Sequence, residues 1–431
     1  MKFAKIYIIV LFLGNLLLIT ACSNTKEQIS YTSDPEMKAT LKVMTIESED
    51  QFMAEVGDFF KAKYPNIEIN VINYFGDNLE KAMNEEKPDV VIHSVQDYEQ
   101  LIEQDKLYDL SNLLSNDKFN LEGVHQEFVD YLRLIGGGKL YGLPPEFQTK
   151  AIYYNKDLFD KYKIPYPQDQ MTWEEMIQLA KRFPSGDGVS GLYMLNFSAF
   201  VDDMAWSRDL SMINIKDMKL TINSASYKKI FETIVDAYMS KTVVIPEMDQ
   251  FEVYDPFISG TSAMTVDYYY YINNKINWAK AEKGDKFQLN WDVVSAPVDE
   301  KSRDTSPYYY FGGITSINVD SEQKQAAWEL IKFVNGEEFA KMKSKTSGFV
   351  PSTRTDFIYN PEGKRMEAFY VLKPRDKWMP HEYYSAPPKG FFAGMEGIIN
   401  SELKAVTVGA KSLDEAIASM QERGQRLLDQ K

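Results

Sequence analysis

Cysteine is almost missing from this chain: Cys22 is the only one in 431 residues. A lone thiol closes no internal disulfide, so the fold cannot rest on such staples. Histidine is nearly as scarce, with three residues, and few soft ligands remain for a transition metal. No metal and no cofactor is therefore expected. Basic charge is also short, 48 Lys and Arg against 63 Asp and Glu, a net charge of −15. That balance argues against nucleic acid and against charge-driven binding to an anionic surface. The motifs G-x-S-x-G, H-E-x-x-H and the P-loop do not occur, so no local signature of nucleophile, metal or nucleotide chemistry stands out. Past the first twenty-two residues there is no second long apolar run, so nothing else is expected to span a bilayer.

Those first residues are informative. Lys2 and Lys5 precede an apolar run from Ile6 to Ile19, followed by Thr20-Ala21-Cys22. A positive start, a short apolar stretch and small residues before a cut read as a secretory signal over 1–21. Cleavage there would leave Cys22 N-terminal, and the pattern resembles a bacterial lipobox, whose thiol receives a lipid. Residues 22–37 are polar and read as a flexible tether. Loss of the leader removes two lysines, leaving 46 basic residues against 63 acidic and a net charge near −17. The remaining chain, roughly 410 residues, is long enough for two or more domains with sizeable cores. Aromatics are plentiful: 27 Tyr, 25 Phe and 6 Trp make up 13% of the chain. Many must be core, but Tyr and Trp also offer flat amphipathic faces to a ligand.

From residue 40 the pattern alternates between strand and helix. Thr40–Ile46 has strand character, Phe52–Phe60 helical spacing, and Ile67–Val71 the period of two of a half-buried strand. Leu79–Glu86 reads as a helix and Pro88–Ile92 as a short buried strand of the parallel type. After the break at Gly136-Gly137-Gly138, Ile152–Tyr154 predicts a strand and Lys156–Tyr162 a helix. Thr172 and Glu175 form a capping box before Trp173, Met176, Ile177 and Ala180, which share one face; Ser412 and Glu415 repeat the device before a helix to Leu428. Strand–helix repeats of this length predict an α/β fold built from right-handed βαβ units.

Several segments, in order, resemble the extracellular solute-binding proteins of ABC importers, in particular the sugar-binding group. They are Phe59–Ile69, Pro88–Val91 with Leu107–Leu110, and Gly138–Pro144 running on through Tyr154–Phe159 to Thr172–Glu175. Phe257–Met264, then Gly312-Gly313 with Ala326–Phe333 and Gly348–Pro351, complete the set. The resemblance implies a two-lobed periplasmic-binding-protein fold, type II-like, with the ligand cleft between lobes joined by hinge segments. It places lobe one at 38–147 plus 305–340 and lobe two at 148–304 plus 341–431. Crossings would lie near Glu146–Gln148, between Pro297 and Tyr310, and near Phe339–Lys343. The implied role is a lipid-anchored, monomeric, non-enzymatic receptor on the outer face of the cell membrane. It would capture a sugar, an oligosaccharide, and pass it to ABC permease subunits.

Ligands of open α/β sheets sit beyond the carboxyl ends of strands, which selects the candidate contacts. Glu47 and Glu49 follow the first strand, and His93 follows Val90-Val91-Ile92, where relatives often carry an aromatic. Glu146 and Gln148 lie at the first crossing, and Trp206 follows what reads as a polar turn at Asp202-Asp203. Asp267, Tyr268 and Tyr270 follow the Ala263-Met264 element, within four tyrosines read as helical. Tyr310, Phe311 and Gly312 lie at another crossing. Acidic and aromatic loops suit a sugar, whose C–H face stacks on rings while its hydroxyls seek carboxylates and amides. A polyamine or peptide on the same fold, or a secreted glycoside hydrolase with paired carboxylates, are the competing readings. Replacing Cys22 tests the anchor: Cys22→Ala should release the protein into the medium with ligand binding intact. Fractionation with carbonate and salt washing checks this, and a variant still in the membrane pellet would overturn lipidation at Cys22.

Overall fold

The computed structural model describes residues 34, 36–75, 79–117, 119–184, 186–246, 254–346, 350–376 and 381–430. The expected leader, Cys22 and the expected tether up to residue 33 fall outside them, as do Gly348 and Phe349. In chain order the strands are β1 (Ala39–Thr45), β2 (Ile67–Asn73), β3 (Val90–His93), β4 (Gly142–Leu143), β5 (Lys150–Asn155), β6 (Leu192–Tyr193) and β7 (Ile213–Asn214). Then come β8 (Lys219–Leu220), β9 (Val243–Val244), β10 (Met264–Tyr268), β11 (Trp291–Ser295), β12 (Thr305–Ser306), β13 (Ile314–Ile317) and β14 (Lys373–Pro374). Two five-stranded sheets form, in the orders β2-β1-β3-β13-β4 and β11-β5-β10-β6-β9. Each anchors one lobe, so the expected two-lobed α/β architecture is the one observed.

The first sheet follows from its apolar pattern. Leu41, Val43 and Met44 of β1 and Val90 and Val91 of β3 have no exposed surface, which makes these strands central. β2 alternates in burial and lies at the edge, parallel to β1 in a register of seven pairs from Ala39↔Ile67 to Thr45↔Asn73. β13 returns antiparallel between β3 and β4. In the second sheet β5 is central, antiparallel to both β10 and β11, and β6 and β9 extend it in parallel.

The helices begin where their caps say. Thr172 accepts from the Glu175 amide while the Glu175 carboxylate accepts from the Thr172 amide, and Trp173, Met176, Ile177 and Ala180 are buried together. Ser412 and Glu415 do the same ahead of Leu413–Leu428. The expected helix over 52–60 is interrupted. Glu49–Phe52 and Asp58–Lys63 are α-helical, and Met53–Gly57 between them is a π-helical turn, a device frequent at functional sites.

The chain passes between the sheets at segments that pair with one another. Gln148 and Tyr310 exchange both backbone hydrogen bonds at 2.8 Å, and Phe147 donates to Pro351 at 3.0 Å. Helix Glu337–Thr346 runs unbroken through 339–343, where a crossing was expected, and packs on helix Lys324–Val334. The later passage follows Arg354, whose guanidinium donates to Asn335 and Asn120 carbonyls on the first-sheet side. By Tyr359 the chain accepts from the Tyr269 hydroxyl of the second.

Gly191, just before β6, lies tight against the end of helix Trp173–Ala180. A Cβ there would lie 2.2 Å from the carbonyl oxygen and 2.5 Å from the Cα of Ala180, both backbone atoms that cannot step aside. Gly191→Ala should therefore destabilise the protein by about 1–3 kcal/mol through overpacking. The shift of the urea unfolding midpoint measures it.

Candidate functional site

Two joined chambers lie between the lobes. The larger, about 840 Å³, is bounded by Trp206, Tyr268, Tyr270, Tyr308, Tyr310 and Tyr384, with Ser94, Gln96, Asp97, Asp209, Ser211 and Arg375 among its polar lining. The smaller, about 410 Å³, runs into the first lobe past Glu47, Glu55, Glu146 and Lys343. Ser94, Asp97, Gln148 and Tyr310 face both, so Tyr310 stands at the junction.

Strand periodicity decides which aromatics reach this space. Side chains of an extended segment alternate between faces. Tyr268 and Tyr270 face the larger chamber with rings stacked at 5.5 Å and 23°. Tyr269 and Tyr271 point the other way, each 1% exposed, their hydroxyls given to the Tyr359 carbonyl and to Asp255. Tyr268 ends β10, Tyr269 and Tyr270 form the turn after it, and only Tyr271 opens the helix that was expected to hold all four. The same rule acts at the crossing: Tyr310 is 42% exposed, while Phe311 is fully buried against Phe128 and Tyr131. Phe311 is therefore a core residue and not a cleft wall. Gly312 borders the smaller chamber, where a Cβ would come within 2.9 Å of the Tyr310 ring.

The remaining candidates separate in the same physical way. Glu47 and Glu146 line the smaller chamber and Gln148 lines both. Burial raises the carboxyl of Glu47, the charge of Glu55 raises it further, and Lys343 opposes both. Glu146 behaves alike: burial raises it, Lys343 at 3.7 Å pulls down, and Glu55 and Glu47 push up again. Glu55 is the addition the sequence reading missed, carried inward on the π-helical turn. Glu49 is exposed in the first helical turn after its N-cap Ser48, where a carboxylate complements the helix dipole; it lines neither chamber.

His93 is buried at the rim of the smaller chamber. Its Nδ1 lies 2.9 Å from the Ser94 carbonyl, which can only accept, so Nδ1–H donates. Nε2 is then left to accept from the Ser316 hydroxyl at 2.9 Å. Both ring nitrogens are thus used within the protein, and burial lowers the imidazole so that it stays neutral. Asp267 borders neither chamber; it accepts from the Tyr268 amide at 2.7 Å, and burial pushes its carboxyl up to about 6 against the pull of Lys150.

Trp206 reaches the larger chamber from helix Phe197–Ser207. Asp202 and Asp203, expected to form a turn, lie inside that helix. Asp203 accepts from Lys150 Nζ at 2.6 Å in a pair whose side chains are 2% and 12% exposed. Lys150 lies 4.9 Å from the Tyr268 ring centroid and 5.5 Å from that of Tyr308. Against its own burial, Asp203 keeps the ammonium charged. Lys150, Arg375 and Tyr384 were not anticipated. Only chain folding brings them together, although a lysine opening an apolar strand, Lys150-Ala151-Ile152-Tyr153, was a readable oddity.

Asp202 carries a pH dependence. Burial, then the charge of Asp203, push its carboxyl up to about 7 from an ordinary 3.8. A carboxyl raised on folding favours the folded state at low pH and loses that contribution as pH climbs through its folded value. Asp202→Asn should accordingly stabilise the protein more at pH 8 than at pH 5, read as the difference in melting temperature from the parent at each pH.

Comparison with known proteins agrees with this geometry. Residues 45–341 match the sequence profile of the bacterial extracellular solute-binding protein family. The sn-glycerol-3-phosphate-binding periplasmic protein UgpB of Escherichia coli K12 is 23% identical over 342 residues, 72% of this chain and 74% of that protein. A sugar transporter from Rhizobium etli, solved in an open conformation, superposes with a TM-score of 0.62 at 20% identity, over 90% of this chain and 99% of that one. An ABC substrate-binding protein from Listeria monocytogenes in complex with cycloalternan gives 0.56 at 20% identity, over 92% and 100%. The two superpositions speak to the fold, and the profile spans both lobes and the cleft between them. This chain belongs to the bacterial extracellular solute-binding proteins.

Proposed function

We propose that this protein is a lipid-anchored receptor of an ABC importer that captures a neutral sugar, an oligosaccharide, and delivers it to a membrane permease. One observation carries the choice of ligand. The larger chamber is walled by aromatic rings, while its charged groups are engaged within the protein. Arg375 pairs with Asp209 and donates to the Trp206 and Ser207 carbonyls. Asp97 closes the capping box with Ser94. A chamber of rings and engaged charges favours stacking on an uncharged ligand whose hydroxyls meet fixed polar groups. A phosphate or polyamine would instead need charge left available to it.

Length supports more than one sugar ring. The larger chamber alone reaches the upper part of the range for small-molecule sites, and the smaller continues it past Tyr310. Binding between two lobes lets closure cover a ligand that either lobe alone would leave exposed. The names of the compared proteins, a sugar transporter and a cycloalternan complex, fit this class. UgpB is named for sn-glycerol-3-phosphate, which makes an anionic polyol the second ligand to test. Catalysis has no part in the receptor role, and anchoring through Cys22 would keep the acidic body at the membrane.

A thermal-shift panel of mono- and oligosaccharides, with glycerol 3-phosphate, polyamines and peptides alongside, tests the proposal. The expected result is a concentration-dependent rise with one glycan class. Its Kd should change by less than about twofold between 50 and 500 mM NaCl, because little net charge is exchanged. Shifts confined to the phosphate or the polyamine would overturn the neutral-sugar assignment. Trp206→Ala and Tyr270→Ala should each weaken glycan binding by about 1–2 kcal/mol, roughly five- to thirtyfold in Kd by titration calorimetry.

A further inference from the structure

The ring of Trp206 sits in the last turn of helix Phe197–Ser207. Carbonyls at a helix end have no partner within the helix. Here Arg375 supplies them: Nη1 donates to the Trp206 carbonyl at 2.7 Å and Nη2 to the Ser207 carbonyl at 2.9 Å, with Asp209 paired to the same guanidinium. A cation at this position also meets the negative pole of the helix. One turn earlier the helix is held twice more. Asp203 accepts from Lys150 at 2.6 Å through its carboxylate, and from the Tyr308 hydroxyl at 2.7 Å through its carbonyl.

The origin of these three ties sets them apart from ordinary packing. Lys150 stands two residues after Gln148 and Tyr308 two residues before Tyr310, and Gln148 and Tyr310 are the bridged pair at the interlobe crossing. Arg375 follows β14, which pairs in parallel with β12, and its own amide donates to the Ser306 carbonyl at 3.2 Å, just ahead of Tyr308. Each group that fixes the helix is thus fastened to a segment that passes between lobes. Two of the three are cations under or beside the aromatic wall.

We propose that Lys150, Tyr308 and Arg375 are positioning residues that fasten the Trp206 platform to the interlobe crossings, so the ring holds one orientation and turns with the hinge. The importance of that platform rests on the receptor reading above; its rigidity does not. Arginine is suited to the task because its planar fork reaches two carbonyls and a carboxylate at once, which a lysine ammonium on a flexible stem does less well.

The test uses the full soluble chain without ligand. The Trp206 signal is isolated as the fluorescence difference between each protein and the same protein carrying Trp206→Phe, and acrylamide quenching reports how freely the ring is reached. Arg375→Met should raise the Trp206 quenching constant at least twofold, with Arg375→Lys between it and the parent. Should Arg375→Met fail to fold, Asp209→Asn decides: Asp209 is exposed, asparagine tolerates its left-handed backbone (φ 56°), and quenching should move the same way by a smaller factor. A lower melting temperature with Trp206 quenching unchanged would show the contacts to be structural only and overturn the proposal. Increased quenching in the variants, with a parent protein that binds no glycan, would overturn the sugar assignment and leave this proposal standing.

Discussion

The cleft depends on a single piece of backbone pairing. Gln148 and Tyr310 bond reciprocally across two crossing segments, and Glu146 bridges to Ser352 on a third stretch of chain. Extended pairing of this kind forces alternate residues to opposite faces. One face gives Glu146, Gln148, Tyr310 and Gly312 to the chambers. The other gives Phe147, Tyr309 and Phe311 to an aromatic cluster around Phe128, with ring centroids 4.6 to 5.4 Å from it. The hinge is therefore also a core, and ligand wall and hinge packing are two sides of the same strands.

Charge is distributed by the same economy. The chain is strongly acidic overall, yet three of its buried carboxylates are answered locally. Asp203 meets Lys150; Glu402 meets Lys411 and Arg423; Glu329 meets Lys332 and the Tyr64 hydroxyl. Removing one member of such a pair would leave a buried charge unanswered, a larger cost than the pair's net contribution. The smaller chamber differs, since Lys343 stands among Glu47, Glu55 and Glu146. There the carboxyls of Glu47 and Glu146 are raised, so this part of the cleft holds its protons more tightly than free carboxylates do.

Local signals in the chain were reliable where local physics decides. Capping boxes at Thr172 and Ser412, the helices Leu79–Glu86 and Lys156–Tyr162, and the alternation of β2 were all legible, because each depends on neighbours within one or two turns. A third crossing was expected near Phe339–Lys343, but that stretch lies inside helix Glu337–Thr346, which packs on Lys324–Val334. The run Tyr268–Tyr271, read as helical throughout, instead straddles a strand end, a turn and the first residue of the next helix. Four aromatics in a row carry no polar partner to reveal their period, so a strand end and a helix look alike.

By itself the sequence determined the α/β class, the order of most elements, the family and a site rich in acids and aromatics. These follow from apolar periodicity, caps and motif order, which are properties of contiguous residues. Tertiary structure alone decided which of those residues share a space. It turned Phe311 inward and Tyr310 outward, satisfied both nitrogens of His93 internally, and left Glu49 on the surface. It also gathered Lys150, Trp206 and Arg375, distant in the chain, around one helix end. The reason is geometric: a face is chosen by register and by what lies across the crossing, and neither is written in any one segment.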